Sequence, residues 1–429
     1  MVDKVKLFKV LNIFILIIPV IIDFFNGLIF FVAGADISIG AMYRLALMGI
    51  TLPFVVLVNN KPIKIWCTFL AVSFCVSWLV WNSYADFIDL KSEFEFLARI
   101  MFPYFLLAYF LYIQEKYIFT FDYIMGLMVW FGAIGGGFLV FSLITGVGIL
   151  SYDIYSYGVQ SFFIAVNDIG LVLLVSFAAA MYRMMAKISI LRVIIAFTIF
   201  GGLIATGSRT GSAGAAGVFL IFILAPMFYG KKNVGMSSTF KTTFLSVLFL
   251  LLALAIKVGY DVIQEYPYML QKFEVLGEGE SARAHLEKAA TERIENRPML
   301  LQVFGEGSFA FHKYVELGVT GGKTYSKGKL VEQDILDFLG SYGLITGLMM
   351  LGFPVVMLII NGINFLRNGR KFRDMAICAM LALFIFHSFT AGHALNSPTV
   401  STAIVIAYFY VFGYNKIQAD EKFLKTIPE

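Results

Sequence analysis

Residues 121–145 read FDYIMGLMVWFGAIGGGFLVFSLIT and contain one charged side chain, Asp122. A helix needs about 20 mostly apolar residues to cross a bilayer, and this stretch is long enough. Further stretches that pass the same test are 10–31, 40–58, 64–82, 94–113, 162–182, 188–206, 211–229, 240–258, 335–361, 374–391 and 398–415. The sequence therefore predicts an all-α polytopic membrane protein with about twelve transmembrane helices.

The composition of the whole chain excludes a soluble domain. Hydrophobic residues make up 59% of the 429 residues and charged residues 14%, and the mean hydropathy is +0.83. A soluble domain carries about 25% charged residues. Burying this excess of apolar surface away from water needs a larger core than the chain can form. Lipid supplies the missing apolar surroundings.

The distribution of Lys and Arg between the loops predicts the orientation. Cytoplasmic loops carry an excess of basic residues. With the N-terminus inside, the short external loops hold only Lys91 and Arg209, and the cytoplasmic segments hold most of the rest. Both termini are therefore expected in the cytoplasm, with the first helix retained instead of cleaved as a signal peptide. Because this topology accounts for the net charge of +5, nucleic-acid binding is not expected.

One external loop is much longer than the others and divides the chain into three parts. Residues 1–258 carry nine predicted helices, residues 259–334 form the loop, and residues 335–429 carry three helices and a cytoplasmic tail. Loops of this length are uncommon and usually functional. Within the loop, SARAHLEKAATERIENRP at 281–298 predicts a helix that Pro298 terminates.

A first candidate anion site is the turn LIATGSRTGSAGAAG at 203–217. It places Arg209 at the external end of the seventh and eighth predicted helices. Small residues let the two backbones approach, and the amides that open the next helix add to an anion site. The alternative is a tight turn whose arginine extends to the membrane interface.

A second candidate consists of three arginines on one face of the predicted loop helix. At 100° per residue, Arg283, Arg293 and Arg297 fall within an arc of roughly 80°. Guanidinium groups match phosphate oxygens and stay charged, which suits a diphosphate. The alternative is a solvated helix whose own glutamates pair with the arginines.

A third candidate is VEQDILDFLGSYGLITG at 331–347, which places Glu332, Asp334 and Asp337 at the membrane edge. Carboxylates at this depth are costly and are functional candidates by default. Beside a low-dielectric boundary the pKa of a carboxyl group rises, as a general base requires. The alternative pairs them with Arg209 or Arg99 in structural ion pairs.

Three further polar residues lie near the external ends of predicted helices. Arg99 lies about two turns below the external surface in the fourth helix, where an arginine normally faces a cavity or a partner. His393 and Asn167 lie near the ends of the eleventh and sixth helices. Lone histidines are more often packing residues than ligands, and no spacing here is typical of a metal site. No metal or cofactor is expected.

In their order along the chain, these motifs resemble those of the O-antigen polymerase and O-antigen ligase superfamily of bacterial envelopes. GSRTG precedes an apolar helix, and SAR at Arg283 opens the loop helix. NRPMLLQVFGEGSF follows with Gly305 and Gly307, and EQDILDFLGSYGLITG opens the next predicted helix. The resemblance covers residues 200–350 by motif, and the whole chain by helix count and loop placement.

The resemblance implies a GT-C-like glycosyltransferase of the bacterial inner membrane that works at the periplasmic face. Its substrates would be glycans carried on undecaprenyl diphosphate, without a nucleotide-sugar donor, metal or cofactor. In the ligase branch a His-Asn pair stands eleven residues before the glycine that is Gly343 here, and this chain has Glu332 and Gln333 there. The departure favours the polymerase branch, for which the partners implied are lipid-linked donor and acceptor, membrane lipids and a chain-length regulator.

The expected function is polymerisation of undecaprenyl-diphosphate-linked repeat units into surface polysaccharide of the O-antigen or capsule type. The residues expected to bind the donor diphosphate are Arg209, Arg283, Arg293 and Arg99. The candidates for the catalytic base are Glu332, Asp334 and Asp337, and the further site candidates are Arg297, His393 and Asn167. One alternative is a ligase that transfers polymer to lipid A core or protein. Another is a transporter of lipid-linked glycan, which the lack of repeated halves disfavours.

Overall fold

The structure, a computed structural model, describes residues 2–34, 38–85, 87–117, 120–152, 157–228, 282–321, 330–369 and 371–424, together with positions 246 and 257. In these ranges the regular secondary structure is helical apart from one two-stranded hairpin. The prediction of an all-α polytopic membrane protein is therefore confirmed. The predicted helix at 240–258 lies outside the described residues, apart from those two positions.

Ten helices and a hairpin occupy the described ranges before residue 229. They are α1 (Val2–Leu16), α2 (Ile18–Ala33), α3 (Ile39–Thr51), α4 (Pro53–Leu57), α5 (Lys61–Tyr84), α6 (Leu90–Lys116), α7 (Phe121–Thr145), β1 (Ile149–Tyr152), β2 (Tyr157–Ser161), α8 (Val166–Ala186), α9 (Ile190–Ala205) and α10 (Arg209–Phe228). Proline at the start of a helix explains two of the boundaries. Pro19 opens α2 and Pro53 opens α4, since proline fits the first helical turn but not the interior of a helix.

The described elements after residue 281 begin with the loop helices. They are α11 (Ala282–Asn296), α12 (Met299–Phe304), α13 (Ser308–Thr320), α14 (Asp334–Tyr342), a π-helical segment (Gly343–Gly347), α15 (Leu348–Arg367), α16 (Phe372–Thr390), α17 (Pro398–Phe412) and α18 (Tyr414–Leu424). Helix α11 confirms the helix predicted at 281–298. It ends two residues before Pro298, because the residue preceding a proline is disfavoured in helical conformation.

The number of membrane spans is lower among the described residues than the predicted twelve. Eight helical stretches are long and apolar enough to cross a membrane, and a ninth is counted if α17 and α18, which are bent by 77°, form one span. Two predicted spans correspond to shorter apolar helices, Ile190–Ala205 and Thr210–Phe222. A total of twelve helices and the cytoplasmic position of both termini therefore stay predictions.

The centre of the membrane-embedded part is built around α6, α8 and α17. The apolar stretches of α6 and α8 are mostly buried, as expected of helices surrounded by other helices. Helix α17 packs against both of them. Helices α7 and α9 approach so closely that a Cβ on Gly202 would lie 2.5 Å from the Cα of Gly136. Small residues at such crossings are typical of packing between membrane helices.

The hairpin of β1 and β2 is not predicted from the sequence. The two strands pair antiparallel, with Ile149 opposite Ser161 and an irregularity after Ile149. Strands of four and five residues without an Asn-Gly or Asp-Gly turn are too short to produce a periodic signal.

Candidate functional site

The described part of the large loop forms a small layer on α14. Helices α11, α12 and α13 all contact α14. Their own apolar cluster is separate from the main core and consists of Leu286, Ala290, Phe311, Val315 and Val331. This packing brings the arginine motif of α11 next to the carboxylate motif that begins α14.

Three glycines allow the GEG segment, residues 305–307, to pack closely against the end of α14. Gly305, Gly307 and Gly343 all have positive φ angles, which glycine adopts without steric cost. A Cβ on Gly305 would lie 2.1 Å from the carbonyl oxygen of Ser341. The amide of Gly307 donates to the same oxygen at 3.0 Å. The sequence motifs at 296–309 and 332–347 therefore pack directly against each other.

Arg297 is buried and holds the C-terminal end of α14. Its guanidinium donates to the carbonyl oxygen of Leu339 at 2.8 Å and to that of Gly340. Cations favour the C-terminus of a helix, where carbonyl groups lack intrahelical partners. Burial lowers the pKa of Arg297 to about 10, so it stays protonated at neutral pH. Arg297 thus faces protein carbonyl groups instead of an open anion site.

Arg293 and Arg297 share one buried carboxylate, Glu306. Arg293 contacts Glu306 at 3.1 Å through Nε, and Arg297 lies 3.6 Å from it. The guanidinium of Arg293 also lies 3.4 Å from the ring centre of Tyr314. The structure therefore does not gather Arg283 and Arg293 of α11 and Arg297, which follows that helix, into one anion site. Arg293 and Arg297 both pair with Glu306, which lies between Gly305 and Gly307.

Replacing Glu306 with alanine is expected to lower the free energy of unfolding by about 3–5 kcal/mol, because Arg297 would be left buried without its carboxylate partner. Thermal unfolding of the purified protein in detergent measures this change. Glu292→Ala is the matched control, since Glu292 is 62% exposed in a loose pair with Lys288. Its expected effect is within about 0.5 kcal/mol. Equal unfolding temperatures for the two variants would contradict the structural role of Glu306.

Arg283 is the arginine of this helix that pairs with a candidate base. Its guanidinium lies 3.0 Å from the carboxylate of Glu332 and donates to the carbonyl oxygen of Thr390 at 2.7 Å. The side chains of Arg283 and Glu332 are 33% and 40% exposed. The pair therefore joins α11, the segment before α14 and the end of α16, and it is only partly buried.

Glu332 and His393 both have strained backbone conformations. The φ angle of Glu332 is +64°, and that of His393 is +60°. Non-glycine residues with positive φ are uncommon and cluster at functional sites. Gly392 precedes His393 in the chain, and a Cβ on Gly392 would be 2.4 Å from the carbonyl carbon of Glu332. His393 is half-buried at this turn.

Asp334 and Asp337 are fully buried, unlike Glu332. Asp334 accepts hydrogen bonds from the Ser388 hydroxyl at 2.7 Å and from the amides of Ala394 and Leu395 at 3.0 Å. It therefore fixes the turn that carries His393 against the start of α14. One oxygen of each aspartate has no hydrogen-bond partner within the described ranges.

Asp337 holds the other side of the Glu332 segment. It accepts from the amide of Val331 at 3.0 Å and lies 2.9 Å from Nε2 of His312 on α13. The partner of Asp337 is therefore His312, and not Arg99, which the sequence suggests as a possible ion-pair partner. No role is predicted for His312 from the sequence, because only the fold brings α13 next to α14.

The remaining predicted residues are more dispersed. Arg99 is exposed on α6 and has no hydrogen bond or ion pair within the described part of the chain. Arg209 begins α10, and its side chain lies outside what is described. Asn167 is half-buried in the first turn of α8, beside Asp168, which accepts a hydrogen bond from Ser397. The predicted roles of these residues stay predictions.

An ion pair within the membrane-embedded part is not predicted from the sequence. Arg44 of α3 lies 2.5 Å from Asp23 of α2, and both contact the Thr399 hydroxyl at the start of α17. Charged residues inside apolar helices usually face a partner or a cavity. The presence of one acidic and one basic residue in two successive apolar stretches is the signal that identifies such a pair.

Comparison with known proteins gives one family. Residues 4–297 match the model of a family described as O-antigen ligase like membrane protein. The match covers more than half of the chain and includes Arg99, Arg209 and Arg283, and it ends before the segment that carries Glu332. No curated protein matches the chain at a significant level.

Proposed function

We propose a function from one established premise: this chain belongs to the O-antigen ligase-like membrane protein family. Its members are membrane glycosyltransferase-like enzymes that handle lipid-linked glycans in polysaccharide synthesis. The proposed reaction is polymerisation of oligosaccharide repeat units carried on undecaprenyl diphosphate. The proposed location is the periplasmic face of the bacterial inner membrane.

The observation that carries this proposal is the accessible pair of Arg283 and Glu332. Transfer of a glycan between two lipid-linked sugars requires a cation for the diphosphate and a base for the attacking hydroxyl. Arg283 and Glu332 supply these two groups 3.0 Å apart. Asp334 and Asp337 are fully buried, and their contacts hold the segment on either side of Glu332. We therefore assign the base to Glu332 and positioning roles to the two aspartates.

In the proposed step, the donor diphosphate displaces Glu332 from Arg283. The freed carboxylate takes the proton of the acceptor hydroxyl as that oxygen attacks the anomeric carbon of the donor. The bond from the anomeric carbon to the phosphate oxygen breaks, and undecaprenyl diphosphate leaves with the electron pair. Arg283 stabilises the leaving group, with Arg99 and Arg209 as further cations for it.

Deletion of the gene tests the proposal through the length of the surface polysaccharide. We expect the ladder of chains on a gel to collapse to a single repeat unit, and wild-type protein to restore the ladder. An unchanged ladder would contradict polymerisation of that glycan.

A ligase is the second candidate, because the family description names that activity. Its acceptor would be lipid A core or protein. In a deletion strain, accumulation of free polymer instead of single repeats would favour the ligase. The acidic residue at Glu332, where the ligase branch carries histidine, favours the polymerase.

Gly392→Ala is expected to lower polymerisation at least about tenfold, because a misplaced base loses most of its contribution to the rate. The added Cβ would lie 2.4 Å from Glu332 and shift the residue. The measurement is the amount of polymer per unit of membrane protein. Gly321→Ala is the matched control, since Gly321 also has positive φ but an added Cβ meets nothing within 4 Å. Equal polymer from both variants would contradict a close fit at Glu332.

A further inference from the structure

A buried polar chain lies behind the Glu332 segment, and His312 is the member to which no role has been given so far. Nε2 of His312 lies 2.9 Å from Oδ1 of Asp337, and the amide of Val331 donates to the same oxygen at 3.0 Å. Asp337 is fully buried, and the side chain of His312 is 8% exposed. Because this oxygen accepts a hydrogen bond from the amide, we assign the hydrogen of the imidazole to Nε2, so that the oxygen accepts from both.

The position of His312 is set by the membrane-embedded helix α6. The amide of Phe309 and the hydroxyl of Ser308, in the first turn of α13, donate to Glu93 of α6 at 2.6 Å and 3.2 Å. The ring of His312 lies 5.7 Å from that of Phe96, one turn further along α6. None of these three contacts involves α14. They therefore fix α13 to the membrane-embedded part, and the imidazole extends from that support to α14.

Glu332 needs such support because its own backbone conformation is unfavourable. A non-glycine residue at a φ angle of +64° persists only where the surrounding structure over-determines it. Before Glu332 in the chain, the amide of Val331 is held by Asp337, and after it Asp334 accepts from the Ser388 hydroxyl at 2.7 Å. Without the imidazole, the carboxylate of Asp337 would be free to turn away from the amide. Glu332 would then relax from its strained conformation.

We propose that His312 is a positioning residue that, through Asp337, holds Glu332 in the conformation that faces Arg283. The inference rests on the proposed function, in which Glu332 is the base. His312 is buried and reaches Glu332 only through Asp337 and the Val331 amide. It therefore acts on the rate of the chemical step, and not on the binding of the donor, which Arg283 contacts.

Three replacements separate the hydrogen bond of His312 from its packing. His312→Gln places an amide nitrogen close to the position of Nε2 and keeps the donor. His312→Asn places its amide near the position of Nδ1, too far from Asp337 for a hydrogen bond. His312→Phe fills the space of the ring without any donor. His285→Phe is the matched control, because His285 is exposed on α11.

The first measurement is hydrogen exchange of the purified full-length protein, followed by mass spectrometry. We expect the amide of Val331 to exchange at least about tenfold faster in His312→Asn and His312→Phe than in wild type or His312→Gln. The amides of Ala394 and Leu395, which donate to Asp334 at 3.0 Å, are the internal control and should keep their exchange rates. Equal acceleration at both places, or none at Val331, would overturn the proposal.

The second measurement is the initial rate of chain growth at several donor concentrations. We expect His312→Asn and His312→Phe to lower kcat by about 10–10²-fold, as a misplaced catalytic group does, with KM within about twofold of wild type. His312→Gln and His285→Phe should retain kcat within about threefold. Full kcat in His312→Phe, or a raised KM with unchanged kcat, would contradict a positioning role.

Because hydrogen exchange needs no turnover, the two proposals can fail separately. Faster exchange at Val331 in His312→Phe, in a protein that makes no polymer, would refute polymerisation and support the hold of His312 on the segment. Polymerisation at the wild-type kcat by His312→Phe would refute the positioning role alone.

Discussion

Glu332→Gln is expected to lower the rate of polymerisation by about 10²–10⁴, because an amide cannot take the proton of the acceptor hydroxyl. Glutamine keeps the size of the side chain, so the strained segment at φ +64° keeps its shape. The ion pair with Arg283 is partly exposed and contributes little to stability, so the amount of folded protein should not change. The measurement is the initial rate of chain growth by purified protein on undecaprenyl-diphosphate-linked repeat units.

Glu287→Gln is the matched control for this variant. Glu287 lies on α11 and accepts a hydrogen bond from Gln333, directly beside Glu332. Its replacement changes the same charge at nearly the same place without removing the proposed base. We expect this control to retain the wild-type rate within a few-fold. A wild-type rate in Glu332→Gln would show that Glu332 is not the base. Asp337, which pairs with His312, would then be the next candidate to test.

Arg283→Ala is expected to lower the rate by about 10²–10³, the usual effect of removing one group that stabilises developing charge. Arg283→Lys should fall between alanine and wild type, because lysine keeps the charge but loses the planar fork that binds two phosphate oxygens. The same assay measures both variants. Donor binding should weaken as well, since the guanidinium contacts the diphosphate before and after the bond breaks.

Lys288→Ala is the control on the same helix, because Lys288 is 75% exposed and pairs only loosely with Glu292. Its rate should match that of wild type. If Arg283→Ala retained full activity while Arg209→Ala lost it, the diphosphate would bind at the start of α10 instead of at α11.

Local patterns in the sequence predict the helices and the loop helix of this protein well. Most of the long apolar stretches in the described residues form helices long enough to span a membrane, and the sequence around Leu286 ended by Pro298 specifies α11. Glu332 is also singled out by local sequence, as a carboxylate at the membrane edge, and its role stays a prediction. Each of these features depends on residues close together in the chain.

Pairing between distant segments is what the sequence does not predict. Arg293 and Arg297 fall on one face of the predicted helix, yet both pair with Glu306 from the connection between α12 and α13. Asp334 and Asp337 are three residues apart, yet they bind Ser388 on one side and His312 on the other. Glu332, which has a left-handed conformation, lies directly against Gly392, 60 residues later. Such contacts depend on how the helices pack.

The central claim is that this protein joins lipid-linked repeat units to one another. Its most direct test is to incubate the purified protein with a single undecaprenyl-diphosphate-linked repeat unit and to analyse the lipid-linked products. We predict a ladder of longer chains still attached to undecaprenyl diphosphate, with one free undecaprenyl diphosphate released per bond formed. Absence of any elongated chain, together with transfer of a preformed polymer to added lipid A core, would contradict the claim and identify a ligase.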